Sequence, residues 1–139
     1  MVTDGQGVPL AVLLSAGQAH ESKSFEAVVE AVAIRAGEWP TSLAGDKGYS
    51  YPRIRGWLQE RGVADVIARR SNQRVEGDED AFDRATYRRR NVVERCVGWL
   101  KECRRVATRF EKLAVNYLAM LKLAMLQRYQ RLLTTATLS

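Results

Sequence analysis

No apolar run in these 139 residues approaches the 18 or so needed to span a bilayer, and no basic-then-apolar leader opens the chain. A cytosolic protein is the default expectation. Cysteine is scarce: Cys96 and Cys103 stand a heptad apart in one expected helix, too far apart to bridge each other and without zinc-knuckle spacing. They are expected to be reduced core residues. Histidine is reduced to His20, which in a loop is most simply a hydrogen-bonding residue. The C-terminal part is poor in acid. Residues 84–139 hold 13 basic and 3 acidic side chains, whereas residues 1–68 hold 6 basic and 8 acidic, and Glu76 to Asp83 contributes 5 negative charges. A net charge of +6 gathered in this way is the electrostatic footprint of a phosphate-backbone binder, although an RNA binder or an anionic-lipid surface protein would share it.

What is present describes a globular α/β domain of modest core, 46% hydrophobic and 27% charged. Met1 to Leu14 reads as a hairpin around the turn Asp4-Gly5-Gln6-Gly7, with Val8 to Leu14 as a strand and Pro9 at its beginning. No strand of useful length precedes that turn, so the chain is expected to start inside a fold. A loop through His20 leads to a helix capped by Ser22 or Ser24, buried on Phe25, Val28, Val29, Val32 and Ala33, and stopped by Gly37. Ser42 to Tyr49 is a short strand running into a glycine-flanked turn, with Asp46 at the carboxyl end where open α/β sheets place ligands. Pro52 opens a helix with Ile54, Trp57 and Leu58 inward, and Ala64 to Ala68 is another strand. Alternation of strands and helices predicts one parallel or mixed sheet with crossover helices. Residues 69–83 form an exposed loop, in which Arg69, Arg70, Asn72 and Arg74 either contact DNA or are simply solvated. A long amphipathic helix closes the chain, packing through Leu113, Tyr117, Leu118, Met120, Leu121, Ala124 and Leu126.

The stretch Tyr87 to Lys101, YRRRNVVERCVGWLK, concentrates the chemistry. At about 100° per residue, Tyr87, Arg90, Glu94 and Lys101 fall within a sector of roughly 60° on a helix, between apolar strips containing Val93, Val97 and Leu100 on one side and Val92, Cys96, Trp99 and Cys103 on the other. A kink near Asn91 is expected. By spacing alone, a solvated face held by the Arg90–Glu94 pair is the favoured explanation of this line.

The Tyr, Arg, Glu, Lys spacing and the following RRVATRFEKLAVNYLAMLKLA resemble the C-terminal catalytic segment of DDE-type bacterial transposases, in particular the insertion sequence 5 family. The segment Gly45-Asp46-Lys47-Gly48-Tyr49 resembles that family's second-carboxylate motif, with Gly45 in place of Ala, and Gly17-Gln18-Ala19-His20-Glu21 resembles a loop that supports its active site. The resemblance implies a partial ribonuclease H-like fold lacking its first strand, spread over residues 1–139. It implies Asp46 and Glu94 as catalytic, metal-binding carboxylates, with Tyr87, Arg90, Lys101 and His20 in support. Lys47, Arg69, Arg70, Arg88, Arg89, Arg95, Arg104 and Arg105 are then candidate DNA contacts. Two Mg²⁺ or Mn²⁺ ions are implied, held with the help of a further Asp absent from this chain, so that the polypeptide alone is expected to be inactive. The implied partners are the element's terminal inverted repeats, target DNA, further copies of the chain and the product of an upstream reading frame, in the bacterial cytoplasm at the nucleoid. A degenerate or mis-started copy is the competing origin. A non-catalytic DNA-binding regulator and a repair nuclease of ribonuclease H type are the alternative functions.

Overall fold

The computed structural model describes residues 1–73 and 82–137, and the side chains of residues 34–36 and 136–137 fall outside that description. Two compact units divide the chain: residues 15–91, and a second unit assembled from residues 1–14 and 92–139.

The unit of residues 15–91 is a β-α-β arrangement flanked by two further helices. Helix α1 (Phe25–Ala36) has Ser24 at its N-cap position, without a side-chain cap bond, and ends at Gly37 in the left-handed region. Strand β3 (Ser42–Gly45) pairs in parallel with β4 (Ala64–Ile67), Ser42 opposite Ala64 through Gly45 opposite Ile67. Two parallel strands need a crossover, which α2 (Pro52–Gln59) supplies, Pro52 standing where a missing N–H costs nothing. Ile54, Leu58, Val63, Val66 and Ile67 are buried, as are Phe25, Val28, Val29 and Ala33 of α1. At about 1.5–3 kcal/mol for each large aliphatic side chain taken from water, these residues hold the unit together. Helix α3 (Arg84–Arg89) lies against both β3 and β4.

In the other unit, β1 (Val2–Thr3) and β2 (Pro9–Ala11) form an antiparallel hairpin. Asp4 Oδ1 closes its turn by accepting from the N–H groups of Gln6 and Val8, both at 2.8 Å. Gly7 takes φ 86°, and a Cβ there would meet the Val92 carbonyl oxygen at 3.4 Å. Helices α4 (Asn91–Glu102), α5 (Arg104–Ala107) and α6 (Ala114–Thr137) follow. Their core joins Cys96, Leu100, Val106, Leu121, Ala124 and Met125, with Met1, Val12, Trp99, Cys103 and Tyr117 packed against it.

Three expectations are corrected. The single mixed sheet is instead two separate two-stranded sheets among the described residues. Strand β2 is three residues long and begins with a proline that has no N–H to donate, so it offers little ladder to another strand, and Leu13 and Leu14 beyond it are exposed. Leu113 and Leu126, expected in the core, are 64% and 55% exposed, because α6 buries only the stripe through Leu121, Ala124 and Met125. Around α4 the two apolar strips are unequal: Val92, Cys96 and Leu100 are buried, whereas Val93 and Val97 are only half-buried.

Candidate active site

Asp46 follows β3 directly and caps a 3-10 turn formed by Lys47–Tyr49. Its Oδ1 accepts the Gly48 N–H at 2.7 Å while the residue remains exposed. A Cβ at Gly48 would lie 2.8 Å from that same oxygen, so the cap needs glycine for space. The backbone therefore aims a solvent-facing carboxylate from the carboxyl end of a parallel strand. Next to it, the Tyr49 hydroxyl donates to Glu21 Oε2 at 3.5 Å. Burial, then the charges of Glu21 and Asp46, push the Tyr49 phenol above its ordinary range. Asp46 and Glu21 thus both act on one hydroxyl.

A set of polar side chains fixes this loop. Arg70 donates from Nε to the Lys47 carbonyl at 3.2 Å and from a terminal nitrogen to the Gly48 carbonyl at 3.3 Å, with its guanidinium 4.6 Å from the Tyr51 ring centroid. Tyr51 shares a 3.3 Å hydrogen bond with His20 Nε2, and His20 Nδ1 shares a 3.2 Å bond with the buried Ser22 hydroxyl. Ser50 donates to Gln73 Oε1 at 2.7 Å, and Gln73 Nε2 donates back to the Ser50 carbonyl at 3.2 Å. Arg55 binds the Ser50 hydroxyl and the Ile67 carbonyl and pairs with Asp65. His20 is accordingly a hydrogen-bonding residue at this loop. The roles of Tyr51, Ser50 and Gln73 were not read from the sequence, and Glu21 was read only as part of the loop resembling active-site support. The ESKS and YSYP segments give no periodic signal for them, since the bonds cross from 23 to 31 residues of chain.

The Tyr87–Lys101 line is divided between the two units. Its first half lies on α3 and its end: Tyr87 is half-buried beside Phe82, ring centroids 5.2 Å apart, and Arg90 lies 5.2 Å from the Tyr87 ring. Arg90 ends α3 and α4 starts at Asn91, placing the break where a kink was expected. Asp83 Oδ1 caps α3 by accepting the Thr86 N–H at 2.8 Å, and hydrogen bonding by the Thr86 side chain, then by its N–H, holds the carboxyl below the usual range. Since α3 packs on β3 and β4, the first half of the line belongs to the same small sheet that presents Asp46. Arg88 and Arg89 are exposed on α3, Lys47 is exposed beside Asp46, and Arg69 is half-buried after β4. Arg74 lies outside the described residues.

The second half is on α4, where Glu94 and Lys101 are both exposed on the side away from buried Val92, Cys96 and Leu100. Arg95, Arg104 and Arg105 are exposed in the same unit. Arg128 differs from these surface cations. It is half-buried over Trp99 at 5.2 Å, with Nε buried and unpartnered, and Arg131 lies over the same ring at 5.6 Å. Cys96 is buried and its thiol is pushed up by that burial, while Cys103 Sγ approaches Gln127 Oε1 at 3.7 Å, so both are free thiols as expected.

Hard divalent cations take oxygen ligands, and the exposed Asp46 carboxylate, held by one oxygen on a backbone N–H, fits as one such donor. Among the described residues no group of three His, Cys, Asp or Glu side chains gathers to hold a metal. Nor is any described helix long and apolar enough to cross a membrane. The family model for the transposase DDE domain matches residues 1–127. A protein of Burkholderia cepacia assigned as a transposase for insertion sequence element IS402 is 32% identical over 129 residues, which cover 88% of this chain. The chain spans only 57% of that relative's length. No solved structure matches. With nearly the whole chain inside the family match and Asp46, Glu94 and the Tyr87–Lys101 line in it, the protein belongs to the DDE transposase family.

Proposed function

We propose that this chain is the C-terminal part of the catalytic domain of an insertion-sequence transposase, with a ribonuclease H-like fold, and that it takes part in metal-dependent cleavage and transfer of DNA strands at the element's ends. The observation that carries the reading is the pairing of α3 with the β3–β4 sheet, which joins the Tyr87–Arg90 half of the signature to the strand presenting Asp46. Family membership supports a role in transposition with DNA as the partner.

In this reading Asp46 and Glu94 are two of the carboxylates that hold Mg²⁺ or Mn²⁺, and an Asp outside residues 1–139 completes the set. Bound there, the metal would polarise the phosphate and lower the pKa of an attacking hydroxyl. The chain's own groups have separate tasks. The Gly48 N–H fixes one Asp46 oxygen so that the carboxylate is oriented before substrate arrives. Arg90 and Lys101 neutralise phosphate oxygens near the site, where the accumulating negative charge of the attacked phosphate needs cations. Tyr87 orients a phosphate or stacks on a base. Lys47, Arg69, Arg88, Arg89, Arg95, Arg104 and Arg105 add contacts to the DNA backbone that carry affinity rather than chemistry. Copies of the chain assemble on the two ends of the element.

The test supplies the chain alone, and the chain together with the segment of the Burkholderia relative that lies outside the match, to DNA carrying the element's ends with Mg²⁺ or Mn²⁺. The chain alone should bind DNA and leave the strands intact. The combined protein should cleave, and Asp46→Asn or Glu94→Gln should each abolish cleavage while leaving binding within a few fold. Cleavage that survives both substitutions would remove these carboxylates from the chemistry.

A further inference from the structure

Between α5 and α6 the chain exposes an aromatic side chain on a tightly built turn. Thr108 ends α5, and Arg109 follows in the left-handed region at φ 47°, the only described non-glycine residue with positive φ. The Phe110 N–H reaches back to the Arg105 carbonyl at 3.3 Å, and the Arg109 N–H to the Val106 carbonyl at 3.3 Å. These two bonds, spanning five and three residues, are the Schellman closure of a helix end. Such an end ordinarily has glycine at the left-handed position, and an apolar contact between the residue after it and the one five places earlier. Here both places are filled differently. Arg109 occupies the glycine position and its guanidinium lies 5.4 Å from the Tyr117 ring. The apolar contact is replaced by the Arg105 guanidinium 5.5 Å from the Phe110 ring centroid. Tyr117 in turn donates to the Val106 carbonyl at 3.2 Å, tying the turn to α6.

As a result, Phe110 is 64% exposed on a turn held by three named hydrogen bonds and two ring contacts, with exposed Arg104 and Arg105 beside it. Burying this ring would be favourable, and a helix end could close without Arg at a left-handed position. The arrangement leaves an aromatic face available among cations, which is the chemistry that receives an unpaired base: a π-face for stacking and guanidinium groups for the neighbouring phosphates.

We propose that Phe110 is a stacking platform for an unpaired base of single-stranded DNA, with Arg104 and Arg105 taking the adjoining phosphates. The proposal rests on the reading of the chain as a DNA-binding transposase segment and adds to it a site that prefers opened strands. The excess of 13 basic over 3 acidic side chains in residues 84–139 favours a polyanion over a protein partner for this patch.

The test uses the whole chain with two probes: a single-stranded oligonucleotide containing 2-aminopurine, and the matching blunt duplex. Single-stranded binding should quench the fluorophore through stacking on the ring. Phe110→Ala should lower single-strand affinity by about 5- to 100-fold and abolish the quench, with duplex affinity changed less than about twofold. Phe110→Trp should restore both, which also separates stacking from misfolding. The salt slope should be unchanged in both variants, because no charge is lost, and should fall by about one unit in Arg105→Gln. Equal affinities of wild type and Phe110→Ala for the single strand would overturn the stacking site while leaving DNA binding in place. Failure of the wild type to bind either probe would overturn the DNA-binding reading itself. A concentration-dependent dimer that disappears in Phe110→Ala, with single-strand affinity unchanged, would assign the ring to a second copy and overturn the proposal.

Discussion

Replacing Arg70 with glutamine should loosen the Asp46 loop without altering how the chain meets DNA backbone. The guanidinium holds two carbonyls, of Lys47 and Gly48, and lies over Tyr51. A hydrogen bond from a charged donor contributes about 1.5–3 kcal/mol at good geometry, and bonds of 3.2 and 3.3 Å belong at the low end. The ring contact at a half-buried site contributes about 0.5–1 kcal/mol. The three act on one short segment and overlap, so about 2 kcal/mol against local opening is the reasonable total. That corresponds to roughly 30-fold faster amide hydrogen exchange at Gly48, Tyr49 and Ser50, with α6 amides unchanged. Arg70→Lys keeps the charge but offers no fork to bridge two carbonyls, and should fall between. Binding to duplex DNA at two salt concentrations supplies the opposing arm. A salt slope lower by about one unit, with exchange in the loop unchanged, would make Arg70 a phosphate ligand and refute the reasoning.

Gly48→Ala should displace the Asp46 carboxylate, because the new Cβ would stand 2.8 Å from Oδ1. A loss of about 1 kcal/mol in urea unfolding, the usual size of a lost cap, is expected, and an unchanged midpoint would contradict the steric argument. The cap of α3 should depend on pH. Asp83 has its folded pKa lowered by the bond from Thr86, so its stabilisation is complete above the ordinary 3.8 and is lost as pH falls through the lower folded value. Exchange at the Thr86 amide should rise over that acid range, and Asp83→Asn should remove the pH dependence; a flat profile in the wild type would count against the cap.

Local rules made much of the fold readable. Pro52 at a helix start, Gly37 at a helix end and the short apolar run before Asp46 each act over a few residues, and each stands where the pattern placed it. The break between Arg90 and Asn91 was readable too, since Asn three residues before Glu94 is a pattern that starts a new helix. The sheet was not. Pairing between strands distant in sequence is not set by local pattern, and among the described residues it gives two two-stranded sheets. The bonds that orient the candidate site were equally hidden: nothing in the spacing of Arg70 says that it will hold the carbonyls of residues 22 and 23 positions earlier. Arg128 looks like a surface cation in the sequence yet lies half-buried over Trp99, because α6 turns that residue toward α4. Phe110 could have been noticed as an aromatic among Arg105, Arg109 and Lys112, a pattern broken by no apolar periodicity.

The division of the chain has a consequence for the order of folding during synthesis. Residues 15–91 are contiguous, and their β-α-β contacts can close as soon as α3 has left the ribosome. The hairpin at the start belongs to the other unit, and the Pro9 carbonyl receives its hydrogen bond from the Tyr129 hydroxyl, 120 residues later. At ordinary rates of 5–20 residues per second, that carbonyl waits roughly 6–24 s for its donor. Residues 15–91 therefore mature before the hairpin of residues 2–11 is tied to α6.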